Sequence, residues 1–213
     1  MTTAIIMAGT NVFGRMVLKA MIDAGRPPAL VINERGTARA ERLSRWLAEI
    51  SIDGPELRSV LGPERIRLVE VDNFQGETAH AALMDAKPDY LVNGGAGIFK
   101  PKLLAMPRRG VLNVHPGLLP EFRGLDPVLW ALEEDGPIGA TLHLVSDGID
   151  EGPILIREEI ETPMVESVVK VRLACMAHGI GLLTRFLANP DLYSPREQRP
   201  ESARYLGAFP AQR

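Results

Sequence analysis

The chain has 213 residues, of which 46% are hydrophobic, 24% are charged and 5% are aromatic, and its net charge is −3. This composition predicts a soluble globular protein with an aliphatic core, and the acidic balance gives no electrostatic reason to expect nucleic acid as the main ligand. The single cysteine, Cys175, excludes an intramolecular disulfide and is expected to be a small core residue.

The amino-terminal segment, MTTAIIMAGTNVFG, lacks the basic stretch and the long apolar stretch of a signal peptide. No uncharged run approaches the length needed to span a bilayer, and no Cys/His tract indicates a structural zinc. We therefore expect a cytoplasmic location and no membrane partner.

Short apolar strands alternate with helices over the first half of the chain. The predicted strands cover 4–8, 29–33, 66–71, 89–93 and 110–114, and the predicted helices cover 12–24, 38–50 and 80–86. This alternation predicts an α/β fold, with a mostly parallel sheet and helices on both of its faces. Such sheets bind ligands at the carboxyl ends of their strands.

The second half of the chain changes character. Two longer strands of alternating polarity, over 138–145 and 153–160, are expected to extend the sheet in antiparallel fashion. One amphipathic helix is predicted over 165–188. The residues after it are rich in Pro, Arg and Glu. We predict one domain over 1–189 and a C-terminal extension over 190–213 that wraps the surface or is partly mobile.

The segment NVHPGLLPEFRG places two functional side chains at the end of the fifth strand. Asn113 and His115 lie two residues apart and therefore point to the same side of a strand, and Pro116 prevents the strand from continuing. The loop SDGIDEG adds two aspartates, Asp147 and Asp150. An amide N–H for an oxyanion, an imidazole that moves a proton and a carboxylate beside it predict an acyl-transfer site.

This site has no protein nucleophile in the sequence pattern. Cys175 falls on a predicted helix, and Ser146 has no obvious base partner. The attacking group is therefore expected to come from the substrate.

Two other interpretations compete with acyl transfer. The turn AGTNVFG suggests a dinucleotide site, but its spacing is G-x-x-x-x-G rather than G-x-G-x-x-G. A metal site could form from His115, His143 and an aspartate. It would leave Asn113 without a role.

The motifs NVHPGLLPEFRG and GATLHLVSDGIDEGPIL resemble the hallmark of the formyltransferases that use 10-formyltetrahydrofolate. The similarity covers residues 88–160. The opening MAGTNVFG resembles that of methionyl-tRNA formyltransferases, and QRPESARYLGAFP resembles a segment of the sugar-amine enzymes. The family also includes glycinamide ribonucleotide transformylase. The resemblance implies a Rossmann-like three-layer sheet as the catalytic domain.

The resemblance also implies roles for individual residues. Asn113, His115 and Asp150 would be catalytic, and His143 would support them. The family's folate contacts fall on two loops, comprising Ala96, Gly97, Ile98, Phe99, Val145, Ser146, Asp147 and Gly148. We expect contacts to the acceptor from Thr10, Asn11 and Arg123, with Arg123 either meeting an anionic group or pairing with Glu121. Gly117 departs from the family, which has Ser there.

The resemblance therefore predicts an N-formyltransferase that moves a formyl group from 10-formyltetrahydrofolate, through a tetrahedral intermediate, to a small-molecule amine such as a sugar nucleotide or a biosynthetic intermediate. No metal is expected. The alternatives are a formyltetrahydrofolate hydrolase, a glycinamide ribonucleotide formyltransferase and a catalytically idle binding protein. Because the chain stops short of the family's tRNA-holding domain and is acidic, we expect no nucleic-acid partner. A homo-oligomer is compatible with the sequence.

Overall fold

The structure, a computed structural model, describes residues 1–9, 12–35, 57–62, 66–161 and 167–210. The chain forms two compact units, Met1–Leu112 and Asn113–Arg213. The helix predicted over 38–50 and the two candidate acceptor contacts at Thr10 and Asn11 lie outside the described residues. The division of the chain at residue 189 stays a prediction.

The first unit contains a parallel sheet. Its strands are β1 (Thr3–Ala8), β2 (Leu30–Glu34), β3 (Arg67–Val71), β4 (Tyr90–Gly94) and β5 (Gly110–His115), the last of which ends in the second unit. The order is β3-β2-β1-β4-β5, and each of these neighbouring pairs is parallel. Every residue of β1 and β2 is buried, as the continuous apolar runs predict for strands covered on both faces.

Four helices of the first unit are described: α1 (Val12–Asp23), α2 (Leu57–Leu61), α3 (Glu77–Ala86) and α4 (Pro101–Leu104). The central apolar residues of α1, including Val17, Leu18 and Met21, are fully buried. Helices α2 and α4 have five and four residues. They were not predicted, because one turn of helix is too short to show a periodic pattern.

The second unit contains antiparallel strands and the longest helix. Its elements are β6 (Arg123–Gly124), α5 (Pro127–Glu133), β7 (Gly139–Leu144), β8 (Ile154–Glu159), α6 (Val168–Ala188), two 3₁₀ turns (Pro190–Leu192 and Pro200–Ser202) and β9 (Tyr205–Leu206). Strands β7 and β8 are antiparallel and follow β5 in the sheet, while β6 and β9 form a separate parallel pair. The predicted fold class, a mostly parallel sheet with antiparallel C-terminal strands, is confirmed.

Helix α6 packs against β7 and buries much of its apolar face. Cys175 is fully buried on it, as predicted, and burial raises the pKa of its thiol to about 11. By length and composition alone, α6 could cross a membrane, although Lys170, Arg172 and Arg185 interrupt its apolar sequence. Half of its most apolar stretch is buried inside the protein. One such helix is weak evidence for a membrane span, because core helices have the same composition.

Residues 190–210 are hydrogen-bonded to the rest of the second unit. Arg196 and Ile154 exchange backbone hydrogen bonds in an antiparallel bridge. The indole Nε1–H of Trp130 donates to the carbonyl of Gly207 at 2.9 Å. The ring of Phe209 also lies against Trp130, with the centroids 4.9 Å apart. This segment therefore contacts both β8 and α5.

Candidate active site

The end of β5 carries Asn113, which is half-buried, and His115, which is 4% exposed. Their side chains meet two further residues of the second unit: His143 on β7 and Asp150 on the loop that follows. The rings of His115 and His143 are nearly perpendicular, with their centroids 6.4 Å apart. The structure thus brings together the three residues assigned to catalysis and the histidine assigned to their support.

His143 is fixed in one tautomer by the backbone. Its Nδ1–H donates to the carbonyl of Leu144 at 2.9 Å, so in the neutral ring Nε2 carries the lone pair. This nitrogen accepts a hydrogen bond from Nδ2 of Asn113 at 3.0 Å. The amide of Asn113 must therefore present its nitrogen, rather than its oxygen, to the imidazole.

Burial keeps His143 neutral. Desolvation lowers the pKa of its imidazole to about 4, with the nearby His115 acting in the same direction, although the carboxylate of Asp150 opposes the change. At neutral pH the ring is thus an acceptor and remains paired to Asn113.

His115 is oriented by a backbone carbonyl. Its Nε2–H donates to the oxygen of Phe122 at 2.6 Å, because a carbonyl can only accept. Its Nδ1 lies 3.5 Å from Oδ2 of Asp150. The second nitrogen therefore faces a carboxylate that can stabilise a proton placed on it.

Asp150 is the acid that meets the two histidines. Its Oδ2 accepts the backbone N–H of Gly124 at 2.9 Å, and its Oδ1 lies 3.7 Å from Nε2 of His143. The side chain is 15% exposed. Asp147, the other aspartate of the loop, is exposed to solvent.

The two loops assigned to folate lie in different units. In the first unit Ala96 and Phe99 are buried, whereas the side chain of Ile98 is 61% exposed. The turn before them is held by Asn93, whose Oδ1 accepts the N–H groups of Gly95 and Ala96 at 3.0 Å each. The loop therefore presents one apolar side chain outward from a fixed backbone.

In the second unit, the loop after β7 has half-buried residues on both sides of the exposed Asp147, namely Val145, Ser146 and Gly148. Beyond them, Ile149 is 45% exposed. The folate contacts of both loops stay predictions.

Arg123 was assigned to the acceptor. Its Nε and Nη2 donate to Oε1 of Gln198 at 3.0 and 2.8 Å, and its Nη1 lies 3.5 Å from Glu151. The alternative partner, Glu121, instead lies 3.4 Å from Arg157. The acceptor role of Arg123 stays a prediction.

Two participants at this site were missed by sequence reasoning. The carbonyl of Phe122 orients His115, and Gln198 holds Arg123. A backbone carbonyl leaves no signal in the sequence. A glutamine in a polar C-terminal segment is expected to be exposed to solvent.

Gly117 lies just after β5, and its surroundings explain why it replaces the serine of the family. A Cβ atom at this position would lie 2.6 Å from Cβ of Pro127 and 3.1 Å from Nε2 of His115. The serine of the family therefore has no space here unless Pro127 moves.

Among the described residues, no group of three or more His, Cys, Asp or Glu side chains could hold a metal ion. Both ring nitrogens of His143 take part in hydrogen bonds. Asn113, which a metal site would leave without a role, is the hydrogen-bond partner of this histidine.

Comparison with known families identifies the chain. The family model described as Formyl transferase matches residues 4–179. This chain belongs to the formyl transferase family. The family expected from the sequence motifs is confirmed.

The relatives of this formyl transferase differ in the acceptors for which they are named. A methionyl-tRNA formyltransferase from Alcanivorax borkumensis is 30% identical over 190 residues, which cover 87% of this chain and 55% of that protein. A 4-N formyltransferase structure from Francisella tularensis has a TM-score of 0.67 at 18% identity, covering 97% of this chain and 76% of its own. The formyltransferase PseJ from Anoxybacillus kamchatkensis, solved with UDP-4,6-dideoxy-4-formamido-L-AltNAc and tetrahydrofolate, has a TM-score of 0.59 at 17% identity, covering 96% of this chain and 85% of its own.

This chain spans about half the length of the curated relatives it matches. Those relatives are named methionyl-tRNA formyltransferases, so the acceptor in their names is a tRNA. The expectation of no nucleic-acid partner is therefore wrong. It rested on net charge and chain length, and neither quantity shows which acceptor an active site binds.

Proposed function

We propose that this chain transfers the formyl group of 10-formyltetrahydrofolate to the amine of an acceptor, with Asn113, His115 and Asp150 as its catalytic residues. The observation that carries the proposal is the pairing pattern of the site. A neutral imidazole orients the amide of Asn113, and a carboxylate faces the second imidazole. These are the groups that acyl transfer needs for an oxyanion and for a proton.

Asn113 is assigned to the oxyanion that develops when an amine attacks the formyl carbon. The hydrogen bond to His143 fixes which end of the amide carries the N–H donors. We assign N–H donation by this amide to the oxyanion. Because the imidazole of His143 is neutral and buried, the amide is oriented before the substrate arrives, and little reorganisation is needed during the reaction.

His115 is assigned the role of accepting the proton that the attacking amine loses. Its Nε2 is committed to Phe122, so the proton is taken at Nδ1. Oδ2 of Asp150, 3.5 Å away, stabilises the imidazolium formed. The same proton is then delivered to the nitrogen that leaves the formyl carbon. In this scheme Asp150 compensates charge, while the carbonyl of Phe122 orients the ring.

The residues fit a folate donor in chemical terms. In the second unit, which carries the catalytic residues, the loop after β7 exposes Ile149, and an exposed apolar side chain beside backbone polar groups suits a flat heteroaromatic ring. The PseJ structure contains tetrahydrofolate, which supports the same donor class. The contacts of each loop with the donor belong to the proposal.

The test measures release of tetrahydrofolate from 10-formyltetrahydrofolate, first without an acceptor and then with methionyl-tRNA, glycinamide ribonucleotide or an amino-sugar nucleotide. We expect release that depends on one acceptor. Asn113→Ala should lose ~10²–10³ in turnover and His115→Ala ~10²–10⁴. His80→Ala, a change in α3 of the first unit, should retain wild-type turnover.

The outcomes separate the alternatives. Rapid release without an acceptor that is lost in His115→Ala would make the protein a hydrolase. Near-normal turnover in Asn113→Ala or His115→Ala would refute the catalytic assignment. Activity with one acceptor of the panel would identify the class of amine.

A further inference from the structure

The segment after α6 contributes one buried polar side chain to the active-site loop. Gln198 is 9% exposed, whereas its neighbours Glu197 and Arg199 are exposed. The bridge between Arg196 and Ile154 places this segment beside the start of β8. Gln198 is therefore held inward while the residues around it face solvent.

All the hydrogen-bonding capacity of the Gln198 side chain is used. Its Nε2 donates to the carbonyl of Asp150 at 2.8 Å and to that of Gly152 at 2.7 Å. Its Oε1 accepts from Nε and Nη2 of Arg123. Because a guanidinium can only donate, Arg123 fixes which end of the amide faces the two carbonyls.

The turn at Asp150 needs such a partner. Asp150 has a φ of 55°, in the left-handed region that a residue with a side chain adopts at a cost. The turn is also tight, since a Cβ at Gly152 would lie 1.8 Å from the carbonyl of Leu144. Two carbonyls that converge on one point repel each other unless a donor lies between them. The NH₂ group of Gln198 is that donor.

We propose that Gln198 is a positioning residue for catalysis. It holds the turn at 150–152 so that Oδ2 of Asp150 stays on the N–H of Gly124 and opposite Nδ1 of His115. The segment after α6 then contributes to the active site by positioning Asp150. This inference rests on the proposed catalytic role of Asp150, but its first test needs no substrate.

The informative substitution is Gln198→Glu. Glutamate has the same shape and still accepts from Arg123, but it offers no N–H to the carbonyls of Asp150 and Gly152. It thus removes the bonds to the turn and keeps those to the guanidinium. Glu197→Gln, the same pair of residue types one position away on an exposed side chain, is the matched control.

The first test is amide hydrogen exchange at Gly124, whose N–H donates to Asp150. In Gln198→Glu we expect this single amide to exchange roughly tenfold faster, with no change in Glu197→Gln. Unchanged exchange in a folded Gln198→Glu protein would overturn the inference. If that variant does not fold, Gln198→Asn, whose shorter side chain cannot reach both carbonyls, takes its place with the same expectation.

The second test is a double-mutant cycle in the formyl-transfer assay. Gln198→Glu should lower kcat roughly 10–100-fold, because the catalytic carboxylate is misplaced, and should change the KM for the formyl donor less than about threefold. In an Asp150→Asn background the same substitution should cost almost nothing, since it acts through Asp150. Equal costs in both backgrounds would show a merely structural role and refute the proposal. Absence of any transfer by the wild-type protein would count against the proposed function and leave the exchange result standing.

Discussion

The buried imidazole of His143 predicts that this protein loses stability as the pH falls from about 7 to about 4. Its pKa is about 4 in the folded protein, against 6.5 for an unperturbed histidine. At a pH between these two pKa values, His143 is protonated in the unfolded chain but not in the folded protein. Acidification therefore favours unfolding across this window. The contribution is fully present above 6.5 and is lost as the pH falls through the folded pKa.

The magnitude follows from the gap between the two pKa values. One pKa unit corresponds to ~1.4 kcal/mol, so the gap predicts a loss of about 3 kcal/mol from this residue alone. A loss of this size is a large fraction of the stability of an ordinary domain. It should thus be visible above the titration of surface carboxylates.

The perturbation that isolates this effect is His143→Gln. Glutamine does not titrate in this range, and its amide oxygen can still accept the hydrogen bond from Asn113. We expect this variant to be less stable than the wild type near neutral pH. Its free energy of unfolding should fall less steeply on acidification, so that the difference between the two proteins shrinks by about 3 kcal/mol toward pH ~4.

The assay is urea unfolding of both proteins at a series of pH values. His80→Gln is the control, because the pKa of His80 is also lowered, first by desolvation and then by Lys102, but its side chain is only half-buried. Its effect should have the same sign and be smaller. Parallel curves for the wild type and His143→Gln would refute the reasoning, since they would mean that the folded protein takes up the proton as readily as the unfolded chain does.

Two further substitutions test other contacts of the site. In the wild type an N–H of Asn113 donates to the lone pair on Nε2 of His143, and Asn113→Asp places a carboxylate oxygen there instead. Turnover should therefore fall ~10²–10³-fold. A smaller loss in the formyl-transfer assay would contradict the oxyanion assignment. Gly117→Ala adds a Cβ atom 2.6 Å from Pro127 and should lower the free energy of unfolding by ~1–3 kcal/mol, as measured by denaturant titration. Its control is Gly181→Ala on α6, where an added Cβ meets no atom within 4 Å; equal stabilities of the two variants would refute the packing argument.

The strands were the most predictable part of the fold. The run predicted as 29–33 forms Leu30–Glu34, and the run predicted as 110–114 forms Gly110–His115. Buried parallel strands are short apolar runs bounded by turn residues, so the sequence shows them directly. The short pair β6 and β9 was not predictable, because two-residue strands have no periodicity and their pairing joins residues far apart in the chain.

The site could be predicted in part. The period of a strand places Asn113 and His115 on one side, and this follows from the sequence alone. The choice between Asp147 and Asp150 does not, because it depends on the path of a loop between two strands. Nor does composition show that His143 is neutral, since its pKa is set chiefly by desolvation inside the folded protein.

Gln198 shows why composition fails for the segment after α6. A polar, Pro-rich segment predicts exposure, because an unpaired buried amide costs ~1–3 kcal/mol. That cost disappears when every donor and acceptor is paired, as it is for Gln198 between Arg123 and the turn at Asp150. The partners lie 75 and 48 residues away in the chain, so no local pattern can show them. The completeness of this pairing is also the reason to expect a specific effect, since a substitution removes either the acceptor for Nε and Nη2 of Arg123 or the donor shared by two converging carbonyls.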